Sequence, residues 1–72
     1  MKVKYKNIIG TIAFNNKELY FFKAGVIYLK LIRAELEFIN PESLMITGFE
    51  KYNSEKEEYQ YKRCYFEVMG EK

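Results

Sequence analysis

The chain has 72 residues, 49% of them apolar and 18% aromatic, with a formal charge of +2. A chain this short folds as one small domain spanning 1–72 and buries only roughly 60% of the surface its unfolded form exposes, while its apolar content excludes a disordered chain. His, Asp and Trp are absent and Cys64 is the single cysteine, which excludes an internal disulfide and most catalytic machinery.

Four marks of turn chemistry punctuate the chain: Asn15-Asn16, Ala24-Gly25, Asn40-Pro41 and Asn53-Ser54. Asn and Gly tolerate positive φ, and Pro presets the first corner of a turn. The five segments between these marks are rich in β-branched and aromatic residues, the composition of strands.

The first segment, Val3 to Phe14, opens with Lys2, Lys4 and Lys6 on one face and Val3 and Tyr5 on the other; its apolar phase then switches to Ile8, Ile12 and Phe14. A phase switch in a long strand predicts a bulge or bend, and Gly10 is the natural place for it. The second segment, Glu18 to Lys23, is apolar on both faces through Leu19, Tyr20, Phe21 and Phe22. The third, Val26 to Ile39, begins in the same way with Val26, Ile27, Tyr28 and Leu29, and ends with Ala34, Leu36 and Phe38 alternating against Arg33, Glu35 and Glu37. The fourth, Leu44 to Tyr52, holds a mid-strand glycine at Gly48. The fifth, Glu58 to Met69, places Tyr59 and Tyr61 on one face, then Cys64, Phe66 and Val68 on the other.

One segment admits a rival reading. Ile27, Leu31, Ala34 and Phe38 form a helical stripe at i, i+4, i+7 and i+11, which Asn40-Pro41 would end. A helix over 26–39 packed on an antiparallel sheet would make the fold α+β. Against it, Glu35 falls inside the apolar face of that helix, and Tyr, Ile, Val and Phe are mediocre helix formers. The expected fold is therefore all-β, a five-stranded antiparallel meander curling into a small SH3-like or OB-like barrel, since bent strands at this size close a sheet and remove its edges.

The missing side chains limit the chemistry. Without His, neither Ser43 nor Ser54 has a triad and Cys64 has no partner base. One cysteine with scattered glutamates is no zinc site, and no calcium loop or glycine-rich phosphate loop is present. The adjacent Glu57-Glu58 pair lies in a charged turn and reads as solvated. Cys64 reads as a core residue. The expectation is a non-enzymatic protein without cofactor or metal.

Two features can carry binding. The first is the doubly apolar hairpin of Leu19, Tyr20, Phe21 and Phe22 with Val26, Ile27, Tyr28 and Leu29. A barrel interior covers one face of such strands, and the other face needs a loop, a second copy or a partner. The second is the run Tyr59, Tyr61, Lys62, Arg63 and Tyr65 together with Lys2, Lys4 and Lys6. Rings interleaved with cations stack bases and neutralise phosphates, although tyrosines covering a sheet and lysines guarding an edge account for the same residues.

Charge is also segregated. Residues 1–36 carry seven Lys/Arg against two Glu, a net +5, and residues 37–72 carry five against eight, a net −3. Such polarity orients a molecule toward a charged partner or is simply a solvated surface. The basic start of the chain lacks a signal-peptide cleavage pattern, and the uncharged apolar run from Ala24 to Leu29 is far below the ~20 residues of a membrane span. A cytoplasmic location in a bacterial host is expected, with no membrane partner. Lys, Asn, Ile, Phe and Tyr make up 35 of the 72 residues, all with AT-rich codons, consistent with a low-GC bacterium or its phage. The leading functional expectation is a protein-protein binding module, in one biological form an anti-CRISPR-like phage or mobile-element inhibitor of a host enzyme. The alternatives are a single-stranded nucleic-acid binder and a subunit of a homo-oligomer.

Overall fold

Three two-residue turns organise the first half of the chain. Lys6-Asn7, Asn16-Lys17 and Ala24-Gly25 all have positive φ at both positions (48° and 66°, 51° and 60°, 52° and 78°). This is the backbone of type I′ hairpins, whose twist matches that of the strands they join. In the computed structural model, which describes residues 1–70, these turns connect β1 (Lys2–Tyr5), β2 (Ile8–Asn15), β3 (Glu18–Lys23) and β4 (Val26–Asn40). Asn40 then caps the next turn, its Oδ1 accepting from the Glu42 amide at 2.8 Å, and β5 (Ser43–Asn53) follows. Asn53 Oδ1 accepts from the Glu55 and Lys56 amides at 3.1 and 3.2 Å and starts the loop into β6 (Glu58–Val68). Each strand pairs antiparallel with the next and β6 returns to β1, closing an all-β barrel.

The barrel has six strands where the sequence predicts five. The extra strand arises because the first segment breaks at Lys6-Asn7 and not at Gly10. Tyr5 faces Ile8 and Val3 faces Gly10 across the hairpin, so a two-residue loop inverts the parity of the apolar residues without any bulge. Gly10 meets a different need, close approach. A Cβ there would run into the Phe22 carbonyl oxygen and lie 2.8 Å from a Phe21 ring carbon.

No helix forms over 26–39. β4 carries register shifts at Tyr28, at Arg33-Ala34 and between Phe38 and Asn40, and the odd step of the helical spacing, from Leu31 to Ala34, comes from the second. Phe21 pairs with Leu29 and Phe22 with Ile27, which leaves Tyr28 as an extra residue. Ile32 pairs with Phe49 and Glu35 with Thr47, so Arg33 and Ala34 together oppose Gly48. Arg33 takes the left-handed backbone of that bulge at φ 50°, and its partner must be small because a Cβ on Gly48 would lie 3.0 Å from Leu31 Cβ and 3.1 Å from Ile32 O. Each inserted residue flips the strand's parity: the flip at Arg33 puts Leu31 and Ala34 on one buried face, while the flip at Tyr28 leaves Ile27, the first residue of the apparent helical stripe, outside.

The core is one cluster: Val3, Ile12, Leu19, Phe21, Leu29, Leu31, Ala34, Leu44, Ile46, Cys64 and Phe66, with Tyr5, Ile8 and Val68 packed against it. Phe21 lies at its centre, with edge-to-face contacts to Phe66 at 5.5 Å and to Tyr5 and Tyr28 at 5.9 Å. Tyr5 stacks on Phe66 at 4.9 Å. Burial, helped by a hydrogen-bonding contact with Cys64, pushes the Tyr5 phenol up to about 12. Among the described residues no helix is long and apolar enough to cross a membrane.

Closure is uneven. β6 meets β1 only at Val3–Val68 and Lys4–Glu67, whereas β5 and β6 stay paired from Ser43–Glu67 to Asn53–Glu58. β4 leaves β5 beyond the Ile32–Phe49 pair and turns with β3 into the barrel wall. The outer part of the β5–β6 ribbon therefore projects as an arm, and the molecule extends 44 Å along its longest axis against 25 and 22 Å across.

Candidate functional site

The register sorts the doubly apolar hairpin into two faces. Leu19, Phe21 and Leu29 point into the barrel and are buried, so they support the fold and cannot touch a partner directly. Tyr20 and Phe22 point outward. Their rings stack at 6.1 Å, and Tyr20 donates to Glu18 Oε1 at 2.6 Å, which raises its phenol pKa. Lys30 Nζ lies 5.4 Å from the Tyr20 ring centre. Next to this stack Val26, Ile27 and Tyr28 stand 67%, 51% and 53% exposed. Ile27 is the cross-strand partner of Phe22, and Thr11 pairs with Phe22 from the other side. Two residues before Thr11, Ile9 is also exposed. The turn explains the location: a two-residue hairpin at Ala24-Gly25 carries both strands to the barrel's edge, leaving Val26 and Ile27 outside, while the half-exposed Tyr28, the extra residue, turns its ring back onto Phe21.

The second candidate set does not converge. Lys4, Lys6 and Tyr65 line a groove of about 440 Å³ together with Ile39 and Glu67. Lys4 is there the cross-strand partner of Glu67, and Lys6 Nζ sits 5.3 Å from the Tyr5 ring centre. Lys2 lies further along β1, opposite Thr11. Tyr59 and Tyr61 belong to the arm, remote in register from that groove. Lys62 faces the other side of the ribbon from them and is bound to Glu50 Oε1 at 3.0 Å. Arg63 shares its face with Tyr61 and is paired with Thr47. The eight residues thus fall into a barrel-end group and an arm group, with Lys62 outside both.

The arm creates a cleft that the strand pattern alone does not show. Two adjoining hollows of about 380 Å³ each share Ile32, Phe49 and Tyr59 as walls. Lys30, Glu50 and Lys51 complete one and Arg33 the other. Phe49 packs against Tyr61 at 5.3 Å, with the rings inclined at 65°. The sequence marks only Tyr59 of this cleft; Lys30 and Arg33 come from β4, Phe49 and Lys51 from β5, and no local pattern joins the two pairs.

A third exposed group lies at one barrel end. Phe14, Leu36 and Phe38 continue the inward-facing rows of Ile12, Ile46 and Leu44, and Met1 sits opposite Ile12, yet all four are exposed. Among the described residues no three His, Cys, Asp or Glu side chains gather as a metal-ion set. No protein-family model, curated protein or solved structure matches the chain. What the surface can do follows from its own chemistry.

Proposed function

We propose that this chain is a non-enzymatic binding protein that docks on a protein partner through the β3–β4 corner. The supporting observation is the contiguous exposure of Val26, Ile27 and Tyr28 beside the outward Tyr20–Phe22 stack. Large apolar side chains scattered singly are ordinary, but a contiguous group rimmed by charge marks an interaction surface. Lys23 and Lys30 flank this group. Aromatic residues and a cation–π pair are the usual anchors of such contacts. The biological form proposed, an anti-CRISPR-like phage or mobile-element inhibitor of a host enzyme acting in the bacterial cytoplasm, has only the AT-rich composition and small size in its support.

The test is affinity capture from lysate of candidate host cells with the wild-type chain and with Ile27→Glu and Val26→Glu. Both positions are solvent-facing, so both variants should keep the wild-type circular dichroism and lose the captured protein. Retention of the same partner by both variants would move the contact elsewhere. Sedimentation of the chain alone distinguishes the homo-oligomer: a stable assembly dissolved by Ile27→Glu would assign this corner to self-association.

A further inference from the structure

We infer that the cleft between β4 and the β5–β6 arm binds single-stranded nucleic acid, with bases on its rings and phosphates on its rim. This goes beyond the docking corner and shares with it only Lys30, which lies 5.4 Å from the Tyr20 ring centre and also lines the cleft. The cleft exists because β4 and β5 part after the Ile32–Phe49 pair while β5 and β6 continue together to Asn53–Glu58. Along that opening wedge Lys30 comes from one wall and Lys51 from the other, and Arg33 adds a third cation at the bulge. The one acid in the lining, Glu50, is already held by Lys62 at 3.0 Å, so the rim presents three cations without a free counter-charge inside it.

The rings decide which anion fits. Phe49 lines both hollows and meets Tyr61 edge to face, an arrangement that does not cover both tyrosine faces. Tyr59 and Tyr61 are 43% and 55% exposed. An acidic peptide would satisfy the cations and leave these rings uncovered. A single strand satisfies both, since every base has a face to stack and every nucleotide a phosphate. A duplex hides its base faces and fits less well. The two hollows, each about 380 Å³, adjoin along Ile32, Phe49 and Tyr59, and cations on both walls suit a backbone threaded between them. By contrast, the barrel-end groove of Lys4 and Lys6 carries the acid Glu67 in its lining, directly across from Lys4, and offers a strand a weaker site.

The test is fluorescence anisotropy of labelled oligothymidylate and oligouridylate, about 15 nucleotides long, across a salt series. Binding should fall with salt at a log–log slope of about −2, the value for three phosphate contacts on a single strand. Lys30→Ala and Lys51→Ala should each reduce that slope by about 0.7. Tyr59→Ala should weaken binding about 5- to 150-fold at fixed salt. Lys4→Ala with Lys6→Ala should leave affinity within about two-fold, and a duplex of equal length should compete poorly. Thermal unfolding of every variant controls for the fold, and the two lysine variants, both on the surface, keep the test valid if Tyr59→Ala is unstable. The inference is overturned by absence of binding at low salt, by insensitivity to Lys30 and Lys51, or by equal loss on removing Lys4 and Lys6. Displacement by polyglutamate as effective as by the oligonucleotide would also overturn it and assign the cleft to acidic peptides.

Discussion

Phe21 and Ile27 lie in the same hairpin, six residues apart, and truncating each to alanine should have very different effects. Phe21 is fully enclosed, its ring touching those of Tyr5, Tyr28 and Phe66. Removing a buried phenyl ring costs about 3–5 kcal/mol, because transfer free energy is lost and the surrounding side chains collapse only partly into the space. At roughly 0.05–0.15 kcal/mol per residue, a domain of this length has about 4–11 kcal/mol in total, so Phe21→Ala should consume about a quarter of it or more. The melting temperature should drop by about 12–40 °C at ~4–8 °C per kcal/mol. Ile27 is half exposed on the outer face, and Ile27→Ala should cost about 1 kcal/mol or less. Urea unfolding followed by tyrosine fluorescence measures both. Equal costs, or a Phe21→Ala cost below about 1 kcal/mol, would refute the inside–outside division of the hairpin and with it the choice of docking residues.

Three further outcomes follow from local geometry. Gly10→Ala should destabilise the barrel by about 1–3 kcal/mol or more, since the new methyl group meets the Phe22 carbonyl and the Phe21 ring; chemical denaturation reads the loss. Ala24→Asn should raise stability by about 0.5–1 kcal/mol, because Ala24 holds φ 52°, a left-handed conformation that asparagine tolerates and alanine resists; thermal melting is the measure. The third concerns pH. Tyr5 keeps its proton in the folded barrel up to about 12, against an ordinary value of 10. A phenol whose folded value is raised contributes stability that is whole below pH 10 and lost as pH climbs through about 12. Tyr5→Phe should flatten that part of the stability–pH curve, and phenolate absorbance should show one tyrosine ionising last.

Much of the fold is legible along the chain because β-structure writes itself in parity and turns. Asn15-Asn16, Ala24-Gly25, Asn40-Pro41 and Asn53-Ser54 each lie at or beside an observed turn, and the alternation around Cys64 and Phe66 gives their burial correctly. Parity is ambiguous wherever it inverts, however. The inversion between Tyr5 and Ile8 reads equally as a bend at Gly10 or as a two-residue hairpin, and Lys6-Asn7 carries a weaker turn signal than glycine does. The bulge at Arg33 in β4 likewise imitates a helical stripe, because a local pattern cannot tell an inserted residue from a change of period.

The surface is divided between the two levels in a different way. By itself the sequence determined that His, Asp and Trp are absent and that the hairpin has more apolar residues than one barrel face can bury. Only the tertiary structure decided which of them are left outside: Phe21 and Leu29 close the core, while Phe22, Val26, Ile27 and Tyr28 remain at the corner, because one extra residue in β4 shifts its register against β3. The arm cleft belongs wholly to that second level. Lys30, Arg33, Phe49, Lys51 and Tyr59 share no spacing in the chain, and they meet because β4 curves into the barrel at its bulge while β5 and β6 continue past it.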